Sequence, residues 1–169
     1  MTCSPASDLC IRPAARDDLG AINDIYNHYV LNSTATYQLA PETAQDRAAW
    51  FERHGAAHPV IVAQAGGAVV GWGSLSPYNP REAYARTVEN SVYVRHDMHR
   101  RGIGSALLSE LIRLARRAEQ HVIIAGIDSA QAPSIALHAR HGFIQVGCMR
   151  QVGHKHGHWL DVIYMQLIL

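Results

Sequence analysis

The sequence predicts an α/β fold, in the α+β sense, built on one mixed sheet. Three observations predict it. Apolar residues recur at helical spacing in several stretches, short β-branched runs bounded by Gly or Pro read as strands, and the two kinds of element interleave along the chain. A length of 169 residues suits one domain with a real core. We read 1–169 as a single domain, with its core over about 10–169 and a flexible N-terminal tail over 1–9.

Ile11-Arg12 reads as a short first strand. From Asp17 the residues Leu19, Ile22, Tyr26, Tyr29 and Val30 recur on one helical face, and two aspartates suit the helix start. Asn32 to Thr36 breaks that pattern, and a second helix follows Pro41, with Gly55 as its stop. PVIVAQ is a β-branched strand, AGGA a hairpin turn and VVGWGSL the return strand. SPYNPREAY reads as loop. TVENSVYV is another strand, in which Asn90 interrupts the apolar set Val88, Val92 and Val94 and predicts a bulge or a local opening. Ile103, Leu107, Leu108, Leu111, Ile112, Leu114 and Ala115 make one broad helical face. HVIIAGI is a buried strand, and Pro133 begins a short helix that ends at Gly142. FIQVGCMRQV and WLDVIYMQLIL are final strands joined by a Gly- and His-rich connection.

Composition excludes several classes. A net charge of +1 is too small for a dedicated nucleic-acid binder, and Lys155 is the only lysine. No apolar run reaches the roughly 20 residues that span a bilayer. MTCSPASDLC lacks an apolar core behind a basic start, so no signal peptide is expected. Cys3, Cys10 and Cys148 form no framework, which predicts reduced thiols and a cytoplasmic location. His154, His156 and His158 alternate as strand residues would, but Gly153 and Gly157 argue for a turn, and no metal is expected.

The chemistry-bearing stretch is HRRGIGSALL. Unsatisfied N–H groups at a helix start, glycines at 102 and 104 that permit close backbone approach, and the cations Arg100 and Arg101 together make an anion site suited to phosphate. A P-loop is absent, because no GxxxxGK precedes Ser or Thr. The dinucleotide fingerprint GxGxxG is also absent, since Leu107 replaces its third glycine.

A strand, a basic Gly-x-Gly turn and a long helix, followed by strand and short helix, resemble the GNAT acetyltransferase superfamily. IYNHYVLNSTATY, GWGSLSPYNPREAY, TVENSVYV, IAGIDSAQAPSIALHARHGF and VGHKHGHWLDV are similar, in order, to its phosphinothricin and methionine sulfone N-acetyltransferase group. The resemblance implies a mostly antiparallel mixed sheet flanked by helices, acetyl-CoA as cosubstrate, a small amino acid or analogue as acceptor, and a homodimer. It implies coenzyme A contacts at Val92, Tyr93, Val94, Gln131 and Ser134, and around the turn at His99, Arg100, Arg101, Gly102, Ile103, Gly104 and Ser105. His99 stands where the family pattern has Gln or Arg, and Gln131 where it has Asn. Acceptor contacts are implied at Thr34, Tyr37, Arg81, Tyr84 and Ser91.

Acetyl transfer from a thioester needs a neutral amine, a stabilised oxyanion and a departing thiolate. No covalent enzyme intermediate is required, so Cys148 is not assigned as a nucleophile. The resemblance makes Glu89 the general base, with a pKa that burial would raise toward neutrality. It makes His138 an acid for the thiolate or an aid to the base. The alternatives are transfer to a peptide N-terminus or polyamine, and a non-catalytic acyl-CoA sensor.

Overall fold

The structure is a computed structural model that describes residues 2–3 and 9–169. Its strands are β1 (Thr2–Cys3), β2 (Cys10–Pro13), β3 (Val60–Ala65), β4 (Ala68–Pro77), β5 (Thr87–Val94), β6 (Val122–Asp128), β7 (Ile144–Lys155) and β8 (His158–Ile168). Four α-helices interleave with them: α1 (Leu19–Asn32), α2 (Ala44–Glu52), α3 (Ile103–Arg117) and α4 (Ala132–Arg140). The strands form one sheet in the order β1-β2-β3-β4-β5-β6-β8-β7. Among the described residues only β5 and β6 pair in parallel, so the mixed, mostly antiparallel sheet is as expected. The tail expected over 1–9 lies mainly outside the described residues. Within it, Thr2 and Cys3 pair with Ile11 and Cys10.

Helices cover both faces, because strand alternation sends successive side chains to opposite sides. Ile61 and Ala63 join the α3 residues Ile103, Leu107, Leu108 and Leu111 in one core, which also takes Ile123, Ala125 and Ile127 of β6. Val60 and Val62 join Trp72 and the α1 residues Ile22 and Ile25 in the other. The two helices on this second face start on local signals. Asp18 accepts from Ala15 N at 2.7 Å before α1, and Thr43 closes a capping box with Asp46 at α2. Arg12 grips Asp18 with two hydrogen bonds of 2.7 and 2.8 Å and holds its carboxyl below the usual carboxylate range.

Of the bulge or local opening expected at Asn90, the structure has the opening. β4 and β5 keep an unbroken register from Gly71↔Val94 to Pro77↔Val88, and β5 parts from β6 on its other edge. One expectation needs correction: the connection between the last two strands is shorter than the sequence suggests, because β7 continues through Gly153, His154 and Lys155. The turn is His156-Gly157 alone, whose φ values of 51° and 79° match a type I′ hairpin, so pairing runs out to Lys155↔His158. Bulges at Gln145/Gly147 and Met149/Gly153 absorb the intervening residues of β7.

Candidate active site

Strand β5 is held by β4 along its whole length but by β6 only over Thr87, Val88 and Glu89. From Asn90 onward the two central strands part, and the edge of β5 facing β6 is left unpaired. A strand edge without a neighbour offers backbone N–H and C=O groups to an extended ligand, in the manner of an added strand. Val92 and Val94 lie along this edge.

Beyond the split, α3 begins at a basic corner. Gly102 is its N-cap residue at φ 79°, a conformation in which L residues are strained. Arg100 is also left-handed, at φ 59°, without being glycine. No side chain caps the helix and no acid sits in its first turn, so the leading N–H groups are free for an anion. Arg100 and Arg101 are exposed beside them. Ile103 turns inward as core at 3 % exposure. Gly104 lets α4 approach, since a Cβ there would lie 3.3 Å from Leu137 Cδ2. Ser105 Oγ meets His141 Nε2 at 2.9 Å, which ties the two helices.

His99 is exposed and engages Tyr29 of α1. Its Nε2 lies 2.7 Å from Tyr29 Oη, and Tyr29 donates to the Val94 carbonyl. Burial pushes Tyr29 up to about 12, so its proton stays on for that contact. The replacement at position 99 thus joins the corner to α1 through Tyr29.

Glu89 is the last residue of β5 that pairs with β6, and it is half-buried. Burial alone pushes its carboxyl above the usual range. It makes no ion pair among the described residues, so no cation opposes that shift. A carboxylate raised in this way, at the mouth of the split, is a stronger base than an exposed one. Ser91 and Tyr93 follow on the same face. Tyr93 stacks on Trp72 with centroids 4.9 Å apart and donates to Ala35 O at 3.3 Å.

His138 is 3 % exposed, and both ring nitrogens are partnered. Ser134 O lies 2.8 Å from Nδ1 and can only accept, so Nδ1 carries the proton. Nε2 then accepts from Asn90 Nδ2 at 3.0 Å. Burial lowers the pKa of this imidazole. It is therefore neutral near pH 7, and it pins α4 to the first residue of the split.

The segment after α1 lies against the ends of β6 and β8. Thr34 Oγ1 donates to Asp128 Oδ1 at 3.0 Å and Tyr37 Oη to Asp128 Oδ2 at 2.8 Å. Gln131, the N-cap residue of α4, reaches Thr34 Oγ1 at 3.3 Å. Lys155, 3 % exposed, donates to Thr36 O at 2.7 Å, and burial lowers its pKa. Gly153 lies beneath Tyr37, where a Cβ would stand only 2.5 Å from the ring. Arg81 and Tyr84 are exposed on the loop after β4, where Tyr84 meets Tyr78 edge-on at 5.7 Å.

The structure thus brings together Glu89, the free edge at Val92 and Val94, and the corner from Arg100 to Gly104. Arg81 makes no ion pair among the described residues, and its backbone N–H donates to Asn79 Oδ1. Sequence reasoning missed Asp128, which organises Thr34 and Tyr37, and Tyr29, which engages His99. It also missed Gly126 and Tyr164, which border Glu89. The signal for Gly126 was available, because a glycine inside a strand pattern marks close approach. No comparable signal marks Asp128, whose partners are more than 90 residues away in sequence.

His154 and His158 lie on opposite faces of the terminal hairpin, because they pair with Trp159 and Lys155 respectively. Among the described residues no three His, Cys, Asp or Glu side chains gather as a cation site. A cavity of about 360 Å³ lies beside α2, lined by residues that include Glu42, Trp50 and Arg53, well away from the split.

The acetyltransferase (GNAT) family pattern matches residues 22–143, which contain the split, the corner and α4. The chain is 43% identical to the L-amino acid N-acyltransferase MnaT of Escherichia coli over 162 residues, covering 95% of this chain and 94% of that protein. It is 45% identical to the L-methionine sulfoximine/L-methionine sulfone acetyltransferase of Pseudomonas paraeruginosa, over 94% of each chain. Its backbone matches the GNAT superfamily phosphinothricin acetyltransferase of Sinorhizobium meliloti, solved with acetyl-CoA, at a TM-score of 0.92 and 39% identity, covering 96% of this chain and 89% of that one.

Proposed function

The chain belongs to the GNAT acetyltransferase family, and from that premise we propose that it moves the acetyl group of acetyl-CoA to the α-amino group of a small amino acid or analogue. The observation that carries the reading is a free β5 edge running from a raised carboxylate toward an uncapped, basic helix start. The diphosphate of acetyl-CoA sits on the N–H groups at the start of α3, with Arg100 and Arg101 adding charge. Its pantetheine arm lies along Val92, Tyr93 and Val94 as an extra strand. Ile103 shapes this corner from the core side, while Ser105, Gln131 and Ser134 hold the neighbouring helices in place.

Both substrates bind before reaction. Glu89 takes a proton from the acceptor ammonium, directly or through water, and the neutral amine attacks the thioester carbon. A β5 N–H stabilises the oxyanion. The C–N bond forms, the C–S bond breaks, and the departing thiolate takes up the second proton that the nitrogen sheds, leaving as coenzyme A. His138 serves by holding Asn90 and α4, because neither of its ring nitrogens is free. Thr34 and Tyr37 shape the acceptor side through Asp128, Ser91 lies beside Glu89 on the same face, and Arg81 and Tyr84 stand at its exposed mouth.

We place the enzyme in the cytoplasm, which the free thiols Cys10 and Cys148 support. Among the described residues no helix is long and apolar enough to cross a membrane. We also propose a homodimer. Strand β7 is an edge strand exposed along nearly all its length, with Ile144, Val146, Met149 and Val152 between 47% and 64% exposed. Such an edge calls for a partner.

Acceptor choice is tested by coenzyme A release. Methionine sulfone, methionine sulfoximine and phosphinothricin are expected to support turnover, whereas polyamines and peptide N-termini are not. Preferential turnover of a polyamine or peptide would replace this acceptor class with another.

A further inference from the structure

Seven tyrosines stand in the chain, and four commit their hydroxyls to the fold. Tyr26 meets Thr36, Tyr29 the Val94 carbonyl, Tyr37 Asp128 and Tyr93 the Ala35 carbonyl. Among the described residues no protein partner takes the hydroxyl of Tyr78, Tyr84 or Tyr164. These three gather on the face that carries Glu89. Tyr78 N donates to Thr87 O at 3.2 Å, one step past Pro77↔Val88 and two past Ser76↔Glu89, so Tyr78 stands on the same face as Glu89. Tyr84 meets Tyr78 edge-on. Tyr164 opposes Gly126, and its chain neighbours Ile163 and Met165 pack into the α3-side core, so its ring stands on the opposite face. A Cβ at 126 would lie 3.3 Å from Glu89 Oε1 and 3.6 Å from Tyr164 Cε1, so carboxylate and ring edge flank one gap.

The three phenols are not equivalent. Tyr78 and Tyr84 are exposed, where water serves a hydroxyl, whereas Tyr164 is half-buried. Burial, then Glu89 and then Tyr78 push the Tyr164 pKa up, so the phenol keeps its proton and acts as a donor. Phenylalanine would fill the same space, and no protein group takes the hydroxyl that tyrosine adds. A half-buried donor with no use in the fold, across a gap from the base, is placed for a ligand. The ligand's charge follows from the neighbours. Glu89 repels a second anion in that gap, and Arg81 is exposed, where water and salt screen it. A neutral donor beside an acid suits an uncharged oxygen.

We propose that Tyr164 is a specificity-determining residue that donates a hydrogen bond to an uncharged oxygen on the acceptor's side chain, of the sulfone or sulfoximine type, with Tyr78 and Tyr84 as the rim of the same subsite. This rests on the acetyltransferase reading above and adds to it which part of the acceptor is recognised. The side-chain oxygens of such an amino acid stand several bonds from its nitrogen. An amine held at Glu89 therefore leaves them free to reach across the gap.

The test is Tyr164→Phe in the full chain, assayed by coenzyme A release with methionine sulfone, methionine and phosphinothricin. Wild type is expected to favour methionine sulfone over the other two in kcat/KM. In the variant the ratio of kcat/KM for methionine sulfone over methionine is expected to fall about three- to tenfold, the worth of one neutral hydrogen bond, with the change carried by KM. The pH dependence of the rate is expected to keep its Glu89 limb, and acetyl-CoA binding by calorimetry and Tm are expected to match wild type. An unchanged ratio overturns the proposal. So does a lost Glu89 limb, since Tyr164 would then act through the base, and so does a wild-type preference for methionine or phosphinothricin. Those outcomes leave the acetyltransferase reading standing. Wild type that binds acetyl-CoA but acetylates no amine would defeat that reading, and this proposal with it.

Discussion

Glu89→Gln is expected to lower kcat by about 10²- to 10⁴-fold, the usual worth of a positioned general base. The carboxamide keeps the shape and the strand register but cannot take the acceptor's proton. Acetyl-CoA affinity should change little, because the corner at Gly102 is formed by other residues. The pH dependence identifies the mechanism. Burial raises the Glu89 pKa, so wild-type activity should rise with pH through a limb above the ordinary carboxylate range, where Glu89 loses its proton. That limb should vanish in the variant. Stability should move the other way. A carboxyl whose folded pKa is raised favours the fold in its protonated form, fully so below the unfolded pKa, and this contribution disappears as pH rises through the folded pKa. Glutamine carries no such charge, so its Tm should exceed that of wild type at pH 8 and converge with it near pH 4. An unchanged rate profile in the variant would remove Glu89 from the role of base.

Gly102→Val is expected to weaken acetyl-CoA binding by about tenfold or more. Position 102 holds φ 79° as the N-cap residue of α3. The left-handed region costs an L residue about 1–2 kcal/mol, and a β-branched side chain suits it least. Valine will either strain the corner or swing the backbone, turning the leading N–H groups of α3 away from the diphosphate. A stability loss of about 1–2 kcal/mol should accompany the weaker binding. The α3 core face, set by Leu107, Leu108 and Leu111, is untouched, so the fold should persist. Binding at wild-type affinity in the variant would mean that the diphosphate lies elsewhere.

Much of this fold was legible in the sequence because its signals are local. The Leu107–Leu108–Leu111 stripe gave α3, the β-branched run at Val60 gave β3, and the Gly-x-Gly start of α3 gave the anion corner. Asn90 correctly marked a departure from strand regularity, yet the side on which β5 opens depends on where β6 stops pairing, which is a long-range fact. The extent of the terminal hairpin was misread for a local reason. Gly153 and Gly157 both read as turn residues, whereas between the two strands only His156 and Gly157 take left-handed backbone. The environments of the site residues were the least legible. His138 was expected as an acid for the thiolate or an aid to the base, and nothing local showed that Ser134 O and Asn90 occupy both its nitrogens. Thr34 and Tyr37 carried no sign in the sequence that both hydroxyls donate to Asp128.

Amide hydrogen exchange with and without saturating acetyl-CoA tests most directly whether the β5–β6 split and the start of α3 together hold this cosubstrate. The fold predicts slower exchange concentrated in the outward amides of residues 90–94 and in the first turn of α3, from Ile103 to Ala106. Unchanged exchange at both segments, with slowing beside α2 or nowhere, would contradict it.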